Sequence, residues 1–471
     1  LRDSYWRDLL AFTWRIQTFK GNKNIVKALE NFVENTKPTN FNVDLNRTPP
    51  RLVTRAGTEV IEAIFAFETA YGHANGVLRL NCDNNNDDTL KAWTLLTALD
   101  KIKGFEEANR DARPMGKAYS RDFRGPNWFD DRQSAVAYAD REPTVLIVGG
   151  GQAGLSIAAR LTQLNVDTLI VDREQRVGDN WRNRYHALSL HNQVHVNHFP
   201  YMPFPQNWPT YIPKDKLAGW FEAYKDSMEL NLWTETEFSG GTYNEKKSNW
   251  STLLNLAGGK RRKIHPRHII MATGVSDIPN LPKINGLESF GGKIIHSSEY
   301  GNGLDWLDRN VLIIGTGTSG HDIAQDLFSN GANVTLVQRS PTMVVNVEPS
   351  AQLPYALYDE GPSLEDCDLI AASMPFHLMR KSHQLMTEEI KVLDKELLDG
   401  LSRVGFRLDF GKNDTGWQFK YLERGGGYYF NVGCSDLIIE RKIRLVQFSE
   451  IEGFITEGAR TSSGGILPAD L

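Results

Sequence analysis

The sequence predicts an α/β fold: two Rossmann-like dinucleotide-binding domains, preceded by an α+β domain. Three observations lead there. "VLIVGGGQAG" and "VLIIGTGTSG" each set a glycine cluster between an apolar strand and a helix. Ahead of both, helix-spaced segments give way to extended runs, the order of an α+β domain. The chain's 471 residues also exceed what one hydrophobic core organises, so two to three domains are expected.

Composition narrows the function class. A hydrophobic content of 40% and a charged content of 24% are those of an ordinary globular chain. The net charge of −5, from 53 basic and 58 acidic residues, gives no basic excess to hold nucleic acid or an anionic membrane. No apolar run reaches the roughly 18 residues of a spanning helix, and the start carries no secretory pattern. Cys82, Cys367 and Cys434 are far apart, which argues against a disulfide scaffold, excludes a local C-x-x-C pair and suggests a reducing compartment, the cytoplasm. The chain opens at Leu1 and closes on "GGILPADL", where a new apolar strand is expected, so both ends read as those of a fragment.

Residues 1–112 make the α+β domain. "YWRDLLAFTWRIQTF" places Trp6, Leu9, Leu10, Phe12 (or Ile16) and Phe19 at helical spacing, and "NIVKALENFVENT" predicts a second helix. "RLVTRAGTEVIEAIFAFETAY", "GVLRLNCD" and "KAWTLLTALDKIKGFEE" then predict an antiparallel sheet. A polar linker over 113–143 carries a helical piece at "DDRQSAVAYADR". The first dinucleotide domain spans 144–300 and the second, with an insertion, 301–435; residues 436–471 are expected to return to the first domain and to be cut short there. Within these, "EEIKVLDKELLDGL" predicts a helix and "KIRLVQFSEIEGFITEG" paired strands.

In the first cluster Gly149 permits a tight turn, Gly151 lets backbone approach a pyrophosphate at the helix N-terminus, and Gly154 lets helix and strand pack closely. Gln152 and Ala153 lie in the same turn. Asp172 closes the following strand, where a carboxylate accepts hydrogen bonds from ribose hydroxyls, and Arg173 follows it. Gly315, Gly317 and Gly320, with Thr318 and Ser319 between them, repeat the arrangement. Here the second strand ends on Arg339. A carboxylate would repel a 2′-phosphate and a guanidinium can pair with it, so NADPH is favoured over NADH, unless Arg339 merely faces solvent. Asp322, in the first turn of the second helix, either joins the site or only offsets the helix dipole. An acid at one site and an arginine at the other suit FAD and NADPH, hence hydride transfer to a flavin.

The absence of a cysteine pair disfavours passing the electrons to a disulfide. Phe290, Gly292, His296 and Tyr300 spell F-x-G-x-x-x-H-x-x-x-Y in "FGGKIIHSSEY". This resembles the identifying motif of flavin-containing monooxygenases, and Tyr300 favours them over Baeyer–Villiger enzymes, which usually have Trp there. "GDNWRNRY", "LSLHNQVHVNHFPYMPFP", "MATGVSDIPNLP" and "GYYFNVGCSDLI" are similar to segments of that family, the second and fourth to its YUCCA-like branch. The resemblance runs from about Thr144 to Leu471; residues 1–112 resemble an NTF2/SnoaL-like cone. Thr318 stands where the family often has Asn.

The resemblance implies a cycle in which NADPH reduces FAD, O2 gives a C4a-hydroperoxide, and one oxygen atom passes to a small-molecule substrate: an amine, a sulfide or an α-keto acid. It sets Trp181 and Arg182 near FAD, and His191, or its neighbour Asn192, near the flavin ring. His296 reads as a joint between domains rather than a base. His191, His195 and His198 would need a helix to share a face, and Pro200 and Pro203 oppose one, so no metal is expected. The N-terminal domain is open to three roles: a second pocket, a surface for a homodimer, or a remnant. Two alternatives stand beside the monooxygenase: a flavin reductase that does not oxygenate, and a ligand-binding protein with an incomplete FAD site.

Overall fold

The computed structural model describes residues 3–82, 90–109, 113, 124–276 and 278–471. The expected boundary at residue 112 and part of the 113–143 linker lie outside the described residues. The chain divides into two units. One holds the first glycine turn (Glu107–Lys283 and Ile294–Asp305), the other the N-terminal domain and the second turn (Leu1–Glu106, Ile284–Lys293 and Trp306–Leu471).

The opening segment, expected as a helix, is a hairpin of β1 (Tyr5–Leu9) and β2 (Ile16–Lys20). Trp6 and Asp8 are both fully buried on one side of β1. The Trp6 Nε1–H donates to the Thr97 hydroxyl at 2.9 Å, and that hydroxyl donates to Asp8 at 2.6 Å. Asp8 also accepts the amides of Phe12 and Thr13. These long-range partners reward a period of two over one of 3.6, a choice that a short aromatic-rich segment leaves to its surroundings. The helix α1 (Asn22–Thr36) follows as expected, then β3 (Thr39–Val43), β4 (Arg51–Arg55), β5 (Thr58–Glu68), β6 (Gly72–Cys82) and β7 (Leu90–Ile102). Their order is β2-β1-β7-β6-β5-β3 with β4 beside β5, antiparallel except for the parallel pair β1–β7. Ile25, Ala28, Leu29 and Phe32 of α1 pack on Trp6, Phe12, Phe65 and Phe67.

In the first-turn unit, α2 (Trp128–Ala137) starts at a capping box between Asn127 and Asp130. The expected β–α–β run is β8 (Val145–Val148), α3 (Gln152–Gln163) and β9 (Thr168–Val171). The short α4 (Asp179–Arg182), β10 (Ser189–Gln193), β11 (Tyr211–Pro213), α5 (Lys214–Ser227) and β12 (Asn231–Trp233) follow. A three-stranded meander, β13 (Glu237–Asn244), β14 (Asn249–Asn255) and β15 (Arg261–Ile264), leads to β16 (His268–Met271). The parallel sheet runs β12-β9-β8-β16, and every residue of β8 and β9 is buried.

The second-turn unit repeats the plan with β17 (Asn310–Ile314), α6 (Thr318–Ser329) and β18 (Asn333–Gln338). Next come β19 (Met343–Asn346), α7 (Leu364–Ala372), α8 (Phe376–Leu393), α9 (Lys395–Arg403), α10 (Gly416–Arg424), β20 (Tyr428–Asn431), α11 (Cys434–Ile439), β21 (Arg444–Gln447), β22 (Ile451–Ile455), β23 (Gly458–Thr461) and β24 (Ile466–Pro468). The helix expected over "EEIKVLDKELLDGL" is divided between α8 and α9 at Asp394. That buried carboxylate accepts the Asn346 amide and the Ser350 hydroxyl, fixing the break. The strands expected to pair in "KIRLVQFSEIEGFITEG" do not pair with each other. β21 runs parallel to β18, seating Leu445 and Val446 beside Leu336 and Val337, while β22 pairs with β23. Residues 436–471, expected to return to the first dinucleotide domain, therefore stand with the second.

One face of the N-terminal sheet carries α1; helices of the second-turn insertion cover the other. Ile64, Val77 and Leu96 meet Leu357, Leu369 and Ile370, and Tyr5, Val60 and Trp93 meet Met374 and Leu378. Beneath them, Arg79, with no exposed surface, pairs with Glu62 at 2.8 Å. Arg55 and Arg51 each bridge Glu62 to Glu360, and Arg47 reaches Asp366 at 2.6 Å. Burial alone would raise the Glu62 carboxyl; Arg55 and Arg79 instead hold it down at about 2.

Candidate dinucleotide sites

The first turn has the shape the glycines foretell. Gly149 adopts φ +109°, and a Cβ there would stand 2.4 Å from the Ala272 carbonyl. A Cβ at Gly154 would lie 1.9 Å from the Gly149 carbonyl, so helix and turn touch through backbone. Gly151 is the N-cap of α3 and supplies no side chain to its free amides, while Gln152 and Ala153 are exposed beside it. These amides, at the positive end of the helix, form a cradle that fits a pyrophosphate.

Asp172 stands next to this cradle. One carboxylate oxygen accepts the Gly150 amide, the other the Glu174 amide at 2.8 Å. A carboxylate offers about four acceptor sites, so two contacts leave room for ribose hydroxyls. Arg173 turns outward and pairs loosely with Glu174 at 3.7 Å. Trp181 Nε1 points at Gln152 Oε1, 3.4 Å away, which sets the indole at the mouth of the turn; Asn180, not singled out from the sequence, stands beside Gly151. Arg182 is taken up by Asp179 and by Glu222 at 3.1 Å, tying α4 to α5, so its charge is balanced within the protein. His191 and Asn192 are half-buried on β10, which pairs with β11.

The second turn matches the first. Gly315 adopts φ +124°, and a Cβ at Gly320 would lie 2.2 Å from its carbonyl. Gly317 caps α6 without a side-chain bond, Ser319 follows in the first turn, and the Thr318 hydroxyl donates to the Tyr428 carbonyl at 3.1 Å. Thr318 thus links the turn to β20. His321 is fully buried, stacked on Tyr429 at 4.0 Å between ring centroids, and burial pushes it down to about 4. It is neutral near pH 7 and adds no charge at the helix start. Asp322 is half-buried one residue on. Arg339 is exposed at the end of β18 and makes no ion pair among the described residues. The sequence reading missed its neighbour Arg407, whose guanidinium donates to the Arg339 carbonyl at 2.9 Å. No spacing rule connects the two; a glutamine ending the apolar strand "VTLVQ" was the available signal.

The F-x-G-x-x-x-H-x-x-x-Y segment is where the chain passes from one unit to the other. Phe290 packs edge-on to Phe454 and Lys293 donates to the Asp470 carbonyl, both in the second-turn unit. Tyr300 is buried in the first-turn unit. His296 is exposed and forms a local turn, its Nδ1 2.9 Å from the Ser298 hydroxyl. Among the described residues no group of three or more His, Cys, Asp or Glu is placed to hold a metal ion, and no helix is long and apolar enough to cross a membrane.

Residues 146–356 match the family model described as pyridine nucleotide-disulphide oxidoreductase. Cys367 and Cys434, however, are free and buried. The chain is 34% identical over 209 residues to the probable indole-3-pyruvate monooxygenase YUCCA10 of Arabidopsis thaliana, covering 44% of this chain and 55% of that one. It is 30% identical over 204 residues to the indole-3-pyruvate monooxygenase YUCCA1 of Oryza sativa subsp. japonica, covering 43% and 49%. The chain spans about half the length of the curated relatives it matches. Among solved structures, ε-caprolactone-bound cyclohexanone monooxygenase aligns with a TM-score of 0.52 at 18% identity, over 70% of this chain and 72% of that one, a likeness of fold. Over the residues these comparisons cover, then, the chain is similar to flavin monooxygenases, oxidoreductases that use FAD and NADPH.

Proposed function

We propose that this protein is an NADPH- and FAD-dependent monooxygenase that places one atom of O2 into a small organic substrate. The observation that carries the reading is the pair of cradles: two helix N-termini of one shape, one ending at Asp172, the other at Arg339. When bound, FAD supplies the hydride and oxygen chemistry. The chain's own part is to hold it. The α3 amides face the pyrophosphate, Asp172 receives the ribose, and Trp181 flanks the turn; the α6 amides and Arg339 do the same for NADPH. His191 and Asn192 on β10 are proposed to face the flavin ring. An α-keto acid is the favoured substrate class, since the relatives named above act on indole-3-pyruvate. The buried free thiols of Cys367 and Cys434 suit a reducing compartment such as the cytoplasm. Residues 3–106 are read as the NTF2-like domain on the strength of one long helix packed on a mostly antiparallel sheet. Its second face is already covered by α7 and α8, so a homodimer would have to use another surface.

The test is kinetic. The purified flavoprotein is reduced anaerobically with NADPH and mixed with O2 in a stopped-flow spectrometer. A transient C4a-hydroperoxide spectrum, shortened by an α-keto acid, is expected. Direct reoxidation with release of H2O2 would instead identify a flavin reductase, and a protein isolated without flavin would support a ligand-binding role.

A further inference from the structure

We propose that Arg407 is a second guanidinium for the 2′-phosphate of NADPH, and that Gln338 is the residue that positions it. The inference rests on reading the second turn as the NADPH site. Gln338 ends β18 and is wholly buried, an unusual place for a primary amide. Its side chain is spent on Arg407: Oε1 accepts the Arg407 amide at 2.8 Å, and Nε2 donates to the Arg407 carbonyl at 2.9 Å. Gln447 Nε2, from the neighbouring β21, donates to the same Oε1 at 3.0 Å and fixes the amide's orientation. Arg407 is thereby clamped at both backbone polar groups. Its guanidinium then lies across the end of β18, donating to the Arg339 carbonyl at 2.9 Å.

The outcome is two exposed arginines at one strand end, neither paired with an acid among the described residues. Two like charges at one strand end repel each other, and a buried clamp that brings them together opposes that repulsion. A bound dianion relieves it. In this fold the adenosine ribose lies at the end of the second strand of the β–α–β unit, and what separates NADPH from NADH there is a phosphate. One Nη2 of Arg407 is engaged by backbone; a guanidinium has five N–H donors, so the others remain for phosphate oxygens.

The test compares 2′,5′-ADP with 5′-AMP, which differ only in the 2′-phosphate, by calorimetric titration of the purified protein. Arg407→Gln is expected to weaken 2′,5′-ADP about tenfold or more while leaving 5′-AMP unchanged. It should also flatten the salt dependence of 2′,5′-ADP binding. Gln338→Met should reproduce the selective loss, and Arg407→Lys should recover part of it. Equal weakening of both ligands, or of neither, overturns the proposal, because a guanidinium that only caps strand carbonyls would not distinguish them. If Arg407→Gln fails to fold, Arg407→Lys alone decides: a loss confined to 2′,5′-ADP supports the proposal, and an unchanged preference overturns it. Failure of the underlying reading looks different. A wild-type protein with no preference for 2′,5′-ADP removes the NADPH site itself, whereas a preference abolished by Arg339→Ala but untouched by Arg407→Gln removes only the role of Arg407.

Discussion

At the scale of single residues, two charges define the proposed division of labour. Asp172 shapes the first turn through the Gly150 amide and has acceptor capacity left for a ribose. Asp172→Ala is expected to lower flavin affinity by roughly 10- to 100-fold, the value of one or two charge-assisted bonds, read as flavin content after purification and dialysis. Arg339→Ala is expected to weaken NADPH at least tenfold and NADH little, measured as KM for flavin reduction; equal losses for both nucleotides would exclude a 2′-phosphate contact. The glycines, Asp172 and Arg339 were legible in the sequence because each sits at a fixed offset from a strand–turn–helix pattern. Arg407 was not. It reaches the same strand end from a distant loop, where the Gln338 side chain holds its backbone and its guanidinium meets the Arg339 carbonyl.

At the scale of elements, the β–α–β units were legible for a related reason: strand, turn and helix follow one another, so local pattern and final structure agree. The close approach of helix to turn makes them intolerant. Gly154→Ala would force a Cβ to within 1.9 Å of a carbonyl oxygen, and Gly320→Ala to within 2.2 Å. Each is expected to cost about 1–3 kcal/mol and to abolish binding of the cognate nucleotide, measured by denaturant midpoint and titration. The opening hairpin was illegible because its reward is non-local: the bonds from Trp6 and Asp8 run to Thr97. The break between α8 and α9 is likewise set by what Asp394 meets elsewhere.

Helices α6 and α8 carry a further, acid-sensitive consequence. Burial depresses both His321 and His383 from the usual 6.5 to about 4. The unfolded chain therefore binds more protons in that window. The stability these residues lend is present above pH 6.5 and is lost as pH falls through 6.5 toward 4. Up to about 1.4 kcal/mol per pH unit is expected for each. Melting temperatures measured between pH 7.5 and 5 should fall, and should fall less steeply in His383→Gln; a flat wild-type profile would rule this out.

At the scale of the molecule, the contrast lies between neighbours in sequence and neighbours in space. The mixed α/β class with two Rossmann-type units followed from pattern. The attachment of the N-terminal sheet to α7 and α8 did not, since nothing in either segment names the other. The buried Arg79–Glu62 pair under that contact predicts a large effect. Glu62→Gln leaves Arg79 charged and without surface exposure, and is expected to cost about 3–5 kcal/mol in denaturant unfolding, against less than 1 kcal/mol for Lys395→Ala, which breaks only an exposed i, i+4 pair.

The same covered face bears on how the protein is made. Residues 3–106 leave the ribosome well before the helices that shield Ile64, Val77 and Leu96, which come only with residues 364–378, on the order of tens of seconds later at ordinary elongation rates. Until then the nascent chain presents an apolar sheet to solvent. Its yield in a host should therefore depend on chaperones that bind such surfaces during translation.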